Sequence, residues 1–152
     1  MVALGAAARG GGPADGMRVR IEVEVPSDVR YIEKIVDLVA RQCATLSFSP
    51  RQCSLNVPVA LSEALSNAIL RGNREDPAKH VRVRAALDEV ELVVEVADEG
   101  SGFDLDNQHD PTSPEHLEDE DGRGIFLMKR LMDSVERFTD GGNVVRLVLR
   151  RT

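Results

Sequence analysis

Between Val59 and Asn73 the chain reads VALSEALSNAILRGN, and Leu61, Ala64, Leu65, Ala68 and Ile69 recur at i, i+3, i+4, i+7 and i+8. That spacing is the apolar stripe of a helix lying on a core. Glu63 and Asn67, four residues apart, stack on the opposite side with Ser66 beside them. Gly72 reads as the stop, a residue free to take φ > 0 at the C-cap position. An acid and an amide are thus presented together from a rigid support. Such a pair on a polar helix face is usually just solvated, so its meaning depends on what the rest of the fold brings to it.

The flanking segments predict strands and further helices. From Arg18 the pattern has period two, with Val19, Ile21, Val23 and Val25 alternating with Arg and Glu, which is a half-buried strand. Pro26-Ser27 breaks it, and Ser27 can cap a helix over 28–44 whose buried face is Val29, Ile32, Val36 and Val39. Ser49-Pro50 offers a second cap with Pro at the first helical position. Pro58 either kinks a helix that began near Pro50 or sits in the first turn of one beginning near Val57.

After the central helix, Val81, Val83, Ala85 and Leu87 alternate, Asp88-Glu89 turns, and 90–97 forms a strand apolar enough to be interior. A loop over 104–121 leads to a helix through Ile125, Met128, Leu131, Met132 and Val135. A last hairpin turns at Asp140-Gly-Gly-Asn143 and ends in the strand 144–149. The sum predicts an α+β two-layer sandwich, with one mixed, mostly antiparallel sheet and helices on one face.

At 152 residues this is a one-domain length, and without Trp and with few other aromatics the core has to be aliphatic. The net charge of -7 argues against a basic surface for nucleic-acid backbones, so an anionic ligand has to be drawn in by local groups and a metal. No apolar run approaches a membrane span. Met1 to Gly16, rich in Ala and Gly, lacks the apolar region of a secretion signal and is expected to be a disordered leader before a domain over 17–152. A cytoplasmic location is expected. Cys43 and Cys53 flank a short connection with no neighbouring His, which reads as two reduced, partly buried thiols rather than a metal site or a disulfide framework.

Two glycine-bearing motifs follow the central helix. Asp98-Glu-Gly-Ser-Gly-Phe103 closes the apolar strand: a carboxylate there accepts from an exocyclic amine, and glycines at 100 and 102 let backbone approach a flat ligand. A plain turn after a strand has the same composition. Gly122-Arg-Gly124 opens a helix, where free N–H groups and the helix dipole favour an anion, although a lone Gly-x-Gly is more often a loop end. Asp104, Asp106, Asp110 and Glu115 fall near calcium-loop positions, but His109 stands where that loop needs Gly, and Gln108 where it needs a carboxylate or Asn. His109 and His116 read as solvated loop residues.

Acid and Asn on one helix, then Asp-x-Gly-x-Gly, then Gly-x-Gly, in that order, resemble the GHKL ATPase superfamily, which includes DNA gyrase and the sensor histidine kinases. Within it the pattern is most similar to the small anti-sigma-factor serine/threonine kinases, over residues 18–150. The resemblance implies the Bergerat ATPase fold, with ATP and Mg²⁺ as cofactors. It implies that Asp98 binds the adenine amine, that Gly100 and Gly102 shape the pocket and the hinge of a lid over 104–121, and that Gly122, Arg123 and Gly124 meet the phosphates. Asn67 is then the magnesium ligand, and Glu63 accepts or orients the proton of the attacking hydroxyl.

A chain of this length has no room for the dimerising helix that bears a phosphoacceptor His, nor for a transducer domain, so the acceptor is expected on another protein. The implied partners are an anti-anti-sigma factor as substrate and a sigma factor, with homodimerisation and no direct nucleic-acid or membrane contact. The alternative from another class is a non-catalytic nucleotide-binding module that sequesters a sigma factor or another regulator. A catalytic domain detached from a histidine kinase is a third.

Overall fold

Alternating residues make the sheet. In the computed structural model, which describes residues 2–8, 17–100 and 120–152 (side chains over 17–100 and 123–152), the period-two segments become β2 (Met17–Pro26), β3 (His80–Leu87), β4 (Glu91–Ala97) and β6 (Asn143–Arg150). With β1 (Val2–Ala8) and β5 (Ser134–Thr139) they form one six-stranded sheet in the order β1-β2-β3-β4-β6-β5. Among the described residues every pairing is antiparallel, so the expected mixed sheet is corrected there: each neighbour is reached by a hairpin or a return rather than by a parallel crossover.

The disordered leader is also corrected for residues 2–8, which form the edge strand β1 with Val2 opposite Val23 and Ala8 opposite Met17. Backbone pairing needs no large side chains, and β2 without a neighbour would present a row of open N–H and C=O groups. Residues 1 and 9–16 lie outside the described residues.

One face of the sheet is apolar and the other is charged. Val19, Ile21, Val23, Val81, Val83, Leu92, Val94 and Leu147 are buried under the helices. On the open face Arg84 meets Glu22 at 3.3 Å, while Arg146 meets Glu95 at 2.7 Å and lies over the Phe138 ring at 5.0 Å. Exposed pairs of this kind each contribute about 0–1 kcal/mol. Their clearer effect is to keep that face wet, leaving the helices a single side to cover.

Three helices cover it. The first begins with a tight turn, Val29–Tyr31, and continues as α1 (Ile32–Thr45). Its cap is Asp28, whose Oδ1 accepts from the Arg30 N–H at 2.9 Å, rather than Ser27. The core face is Ile35, Val39 and Cys43, and Val29 is exposed. The central helix settles the role of Pro58. Helical backbone runs without a break over residues 50–72, so Pro58 stands inside one helix.

The missing N–H of Pro58 is accommodated by a widened turn over Gln52–Asn56, in which the Val57 N–H reaches back five residues to Gln52 O. Ser49 caps this helix in a reciprocal box: the Gln52 N–H donates to Ser49 Oγ at 3.1 Å, and the Ser49 N–H donates to Gln52 Oε1 at 3.2 Å. The regular part is α2 (Val57–Ser66), and a second wide turn follows over Asn67–Gly72.

The last helix, α3 (Glu120–Leu131), packs antiparallel against α2, with Asn56 Nδ2 donating to Leu131 O at 2.7 Å at one end. Val135, expected on this helix, belongs instead to β5; α3 ends at Leu131 because the chain turns there to enter the closing hairpin. The thiols behave as the sequence suggests. Both cysteines are free, and burial pushes Cys43 up to about 12.

Candidate nucleotide site

Glycines mark where the fold brings the motifs together, because each stands where a Cβ would collide with a motif residue. A Cβ on Gly124 would lie 2.8 Å from Glu63 Oε2 and 3.6 Å from Asn67 Nδ2. Thus α3 crosses the polar face of α2 at the acid and the amide, and both side chains are half-buried rather than simply solvated. Gly122 and Gly124 lie within the first turns of α3, which starts at Glu120, so the motif is inside the helix rather than before it. Arg123 is exposed on α3, and the segment 101–119, with Gly102, the calcium-like spacing and most of the lid expected over 104–121, lies outside the described residues; the last two residues of that expected loop belong to α3 instead.

The second meeting point is the end of β4. A Cβ on Gly72 would lie 2.0 Å from Asp98 Oδ2, and one on Gly100 would lie 2.2 Å from the Gly72 carbonyl oxygen. The end of the central helix, the Asp98 carboxylate and the Gly100 loop therefore touch directly. This corrects the sequence reading of Gly72. The left-handed turn after the helix is taken by Arg74 (φ 53) and Glu75 (φ 57), and Gly72 is not among the residues with positive φ. Its missing side chain is required by the carboxylate beside it, not by its own backbone.

Asp98 is held on one oxygen. Its Oδ1 accepts from the Gly100 N–H at 2.8 Å, the Asn143 N–H at 3.3 Å and Asn143 Nδ2 at 3.2 Å. Burial pushes its carboxyl above the usual range. The N–H groups of Gly100 and Asn143, the Asn143 amide and the charge of Lys79 pull it back, and burial wins. Among the described residues no donor reaches Oδ2, which leaves an acceptor free for a ligand's amine.

Sequence reasoning missed two residues here. Asn73, only 1% exposed, ties the site's framework together. Its Oδ1 accepts from the Glu99 N–H at 2.8 Å, and its Nδ2 donates to Ser27 Oγ at 2.8 Å and to His80 O at 2.9 Å. Ser27 Oγ donates onward to Lys79 O at 2.7 Å, which explains why it does not cap α1. Asn143 was read only as the end of a turn. Nothing local distinguishes either Asn from a loop residue, since their partners lie 26 and 45 positions away in sequence.

The arrangement fits a nucleotide with magnesium: an ionisable acceptor for a base, and an amide with a carboxylate beside the first turns of a helix. Among the described residues no group of three or more His, Cys, Asp or Glu could hold a metal, so a cation here would draw on Asn67 and on ligand oxygens. A family described as the histidine kinase-like ATPase domain matches residues 25–149. The chain belongs to that family.

Curated relatives agree with the match. A serine-protein kinase RsbW of Bacillus subtilis (strain 168) is 32% identical over 133 residues, covering 84% of this chain and 82% of the relative. One of the same name from Oceanobacillus iheyensis is 28% identical over 122 residues, covering 76% of this chain and 77% of its own. The match runs from the end of β2 to the end of β6, so family membership covers both meeting points. The anti-sigma-factor kinase resemblance is thereby upheld at family level.

Proposed function

We propose that the chain is an ATP-dependent protein serine/threonine kinase and anti-sigma factor, acting on an anti-anti-sigma partner in a partner-switching system. The observation that carries this reading is the contact of Gly124 with Glu63 and Asn67, which brings a carboxylate and an amide beside the opening turns of α3. The names of the relatives support the kinase assignment.

In this reading Asp98 accepts from the adenine amine, and the amide oxygen of Asn67 is a ligand to Mg²⁺. The first N–H groups of α3, those of Gly122 and Arg123 among them, face the phosphates with the positive end of the helix, and Gly124 leaves room for Glu63 beside them. Bound Mg-ATP supplies the transferable phosphoryl group and a cation to offset its charge. Glu63 accepts or orients the hydroxyl proton of an incoming Ser or Thr, and positioning with charge neutralisation does the rest. No helix among the described residues is long and apolar enough to cross a membrane. A cytoplasmic homodimer is part of the proposal and rests on the family resemblance alone.

The test is incubation with labelled ATP, Mg²⁺ and candidate anti-anti-sigma proteins from the same genome, followed by phosphoserine analysis, with a sigma-factor competition pull-down in parallel. Phosphate on an acceptor and a sigma factor displaced by that unphosphorylated acceptor are expected. Sigma-factor retention without any transfer would favour the non-catalytic module. Neither transfer nor retention would remove the anti-sigma reading.

A further inference from the structure

The closing hairpin reaches the candidate site, and its part there goes beyond ending the sheet. Its turn passes through Gly141 with φ 70, and a Cβ on the next residue, Gly142, would lie 2.0 Å from the Asp98 carbonyl oxygen. Two consecutive glycines thus let the turn lie directly on the end of β4. The Asp98 N–H donates to Asn143 O at 2.9 Å, fixing the register of the two strands at this point. Asn143 is only 6% exposed, and its side chain returns across the pair to Asp98 Oδ1 at 3.2 Å. A buried amide aimed at one oxygen of a carboxylate, whose other oxygen has no donor among the described residues, is an orienting device.

We propose that Asn143 is a positioning residue of the site, fixing the Asp98 carboxylate so that Oδ2 is the oxygen offered to the amine of a bound adenine. This rests on the nucleotide reading above and adds to it the residue that sets base selectivity. Asn143 need not touch the nucleotide. Its Nδ2–H meets Oδ1, together with the Gly100 N–H and its own backbone N–H, so turning the carboxyl plane away from these donors would cost their bonds. The same donors favour the ionised form, the one that accepts from an amine without presenting a competing proton.

Among the described residues the charged groups near Asp98 are few: Lys79 is the charge that it feels, and Glu99 and His80 face each other at 3.8 Å. Loss of the Asn143 donor should therefore be read mainly by Asp98 itself.

The experiment compares the wild-type chain with Asn143→Ala and the isosteric Asn143→Asp by calorimetry, using Mg-ATP and Mg-ITP, the latter carrying a carbonyl in place of the amine. Asn143→Ala should weaken ATP about tenfold, within the range for a hydrogen bond to a charged group, and leave ITP nearly unchanged. The preference for ATP over ITP then falls by the same factor. On acidification the Asn143→Ala variant should lose ATP affinity at a higher pH than wild type, because one fewer donor leaves the Asp98 carboxyl higher. Asn143→Asp keeps the shape but sets two carboxylates together, so it should lose more than the Ala variant at neutral pH and recover part of that on mild acidification. If the variants only lower thermal stability while selectivity and pH profile stay at wild-type values, Asn143 is a turn residue and the assignment fails. An Asp98→Ala control with wild-type ATP affinity would overturn the nucleotide reading as well, which separates the two failures.

Discussion

Gly72→Ala tests whether the helix end and the strand end were fitted to each other. The substituted residue would carry a Cβ 2.0 Å from Asp98 Oδ2, 2.4 Å from its Cγ and 3.0 Å from its Cβ. Moving only the carboxylate tip does not relieve this, because the clash extends to the root of a short side chain whose Oδ1 is held by three donors. Against it stands a gain. Gly72 lies in helical backbone without positive φ, where Ala is favoured over Gly by about 1 kcal/mol.

Overpacking of this kind costs roughly 1–3 kcal/mol, and surrendering even one hydrogen bond to the carboxylate adds about 1.5–3 kcal/mol. The net expectation is a loss of about 2 kcal/mol, which for a domain of this size lowers Tm by roughly 4–8 °C. Urea melts read the stability, and calorimetry should show ATP affinity reduced as the carboxylate is displaced. In an Asp98→Ala background the Gly72→Ala change should cost less by about 1 kcal/mol or more, the size of coupling seen between touching residues. A Gly72→Ala protein as stable as wild type, or a cycle that is simply additive, would refute the argument. Gly72 would then be an ordinary helix glycine.

Other changes follow from the same geometry. Because burial holds the folded Asp98 carboxyl above its unfolded value, its ionised form destabilises the protein above the folded pKa, and that cost disappears as pH falls through it. Asp98→Asn should therefore raise Tm at neutral pH while abolishing ATP binding, checked by melts and calorimetry; a lower Tm would contradict the sign. Glu63→Gln should bind Mg-ATP normally yet transfer phosphate about 10²–10⁴-fold more slowly, whereas Asn67→Ala should lose the magnesium dependence of binding; equal turnover in Glu63→Gln removes the proton-acceptor role. Asn73→Ala strips partners from the Glu99 N–H and His80 O and should cost about 2–6 kcal/mol in urea melts, at roughly 1–3 per unsatisfied group; a loss near zero would mean that water replaces the amide. With its thiol pushed up to about 12 and its side chain buried, Cys43 should react with a thiol reagent only on unfolding, and rapid labelling of the native protein at this residue would show that the core opens there.

The sheet and the helices were legible in the sequence wherever one face is wet and the other dry. Val19, Ile21, Val23 and Val25 could only alternate, and Leu61, Ala64, Leu65, Ala68 and Ile69 could only form one helical stripe, because burial imposes its period on the residues that undergo it. The order of the polar motifs was legible for a related reason. Glu63, Asn67, Asp98 and Gly124 stand on rigid elements whose spacing the chain itself sets.

Tertiary structure decided what contacts across the sheet and between layers impose. The Ala- and Gly-rich segment 2–8 carries no alternation, and it is a strand because β2 offers it an unpaired edge. Pro58 sits inside a helix because a wide turn absorbs its missing donor, an arrangement that residue propensities alone do not specify. Asn73 and Asn143 look like loop residues until their distant partners are in place. Gly72 looks like a helix cap because a glycine at a helix end is usually explained by φ. Here the reason is the Asp98 carboxylate, 26 residues further along the chain, and a sequence read locally contains no record of what will stand in the space where a side chain is missing.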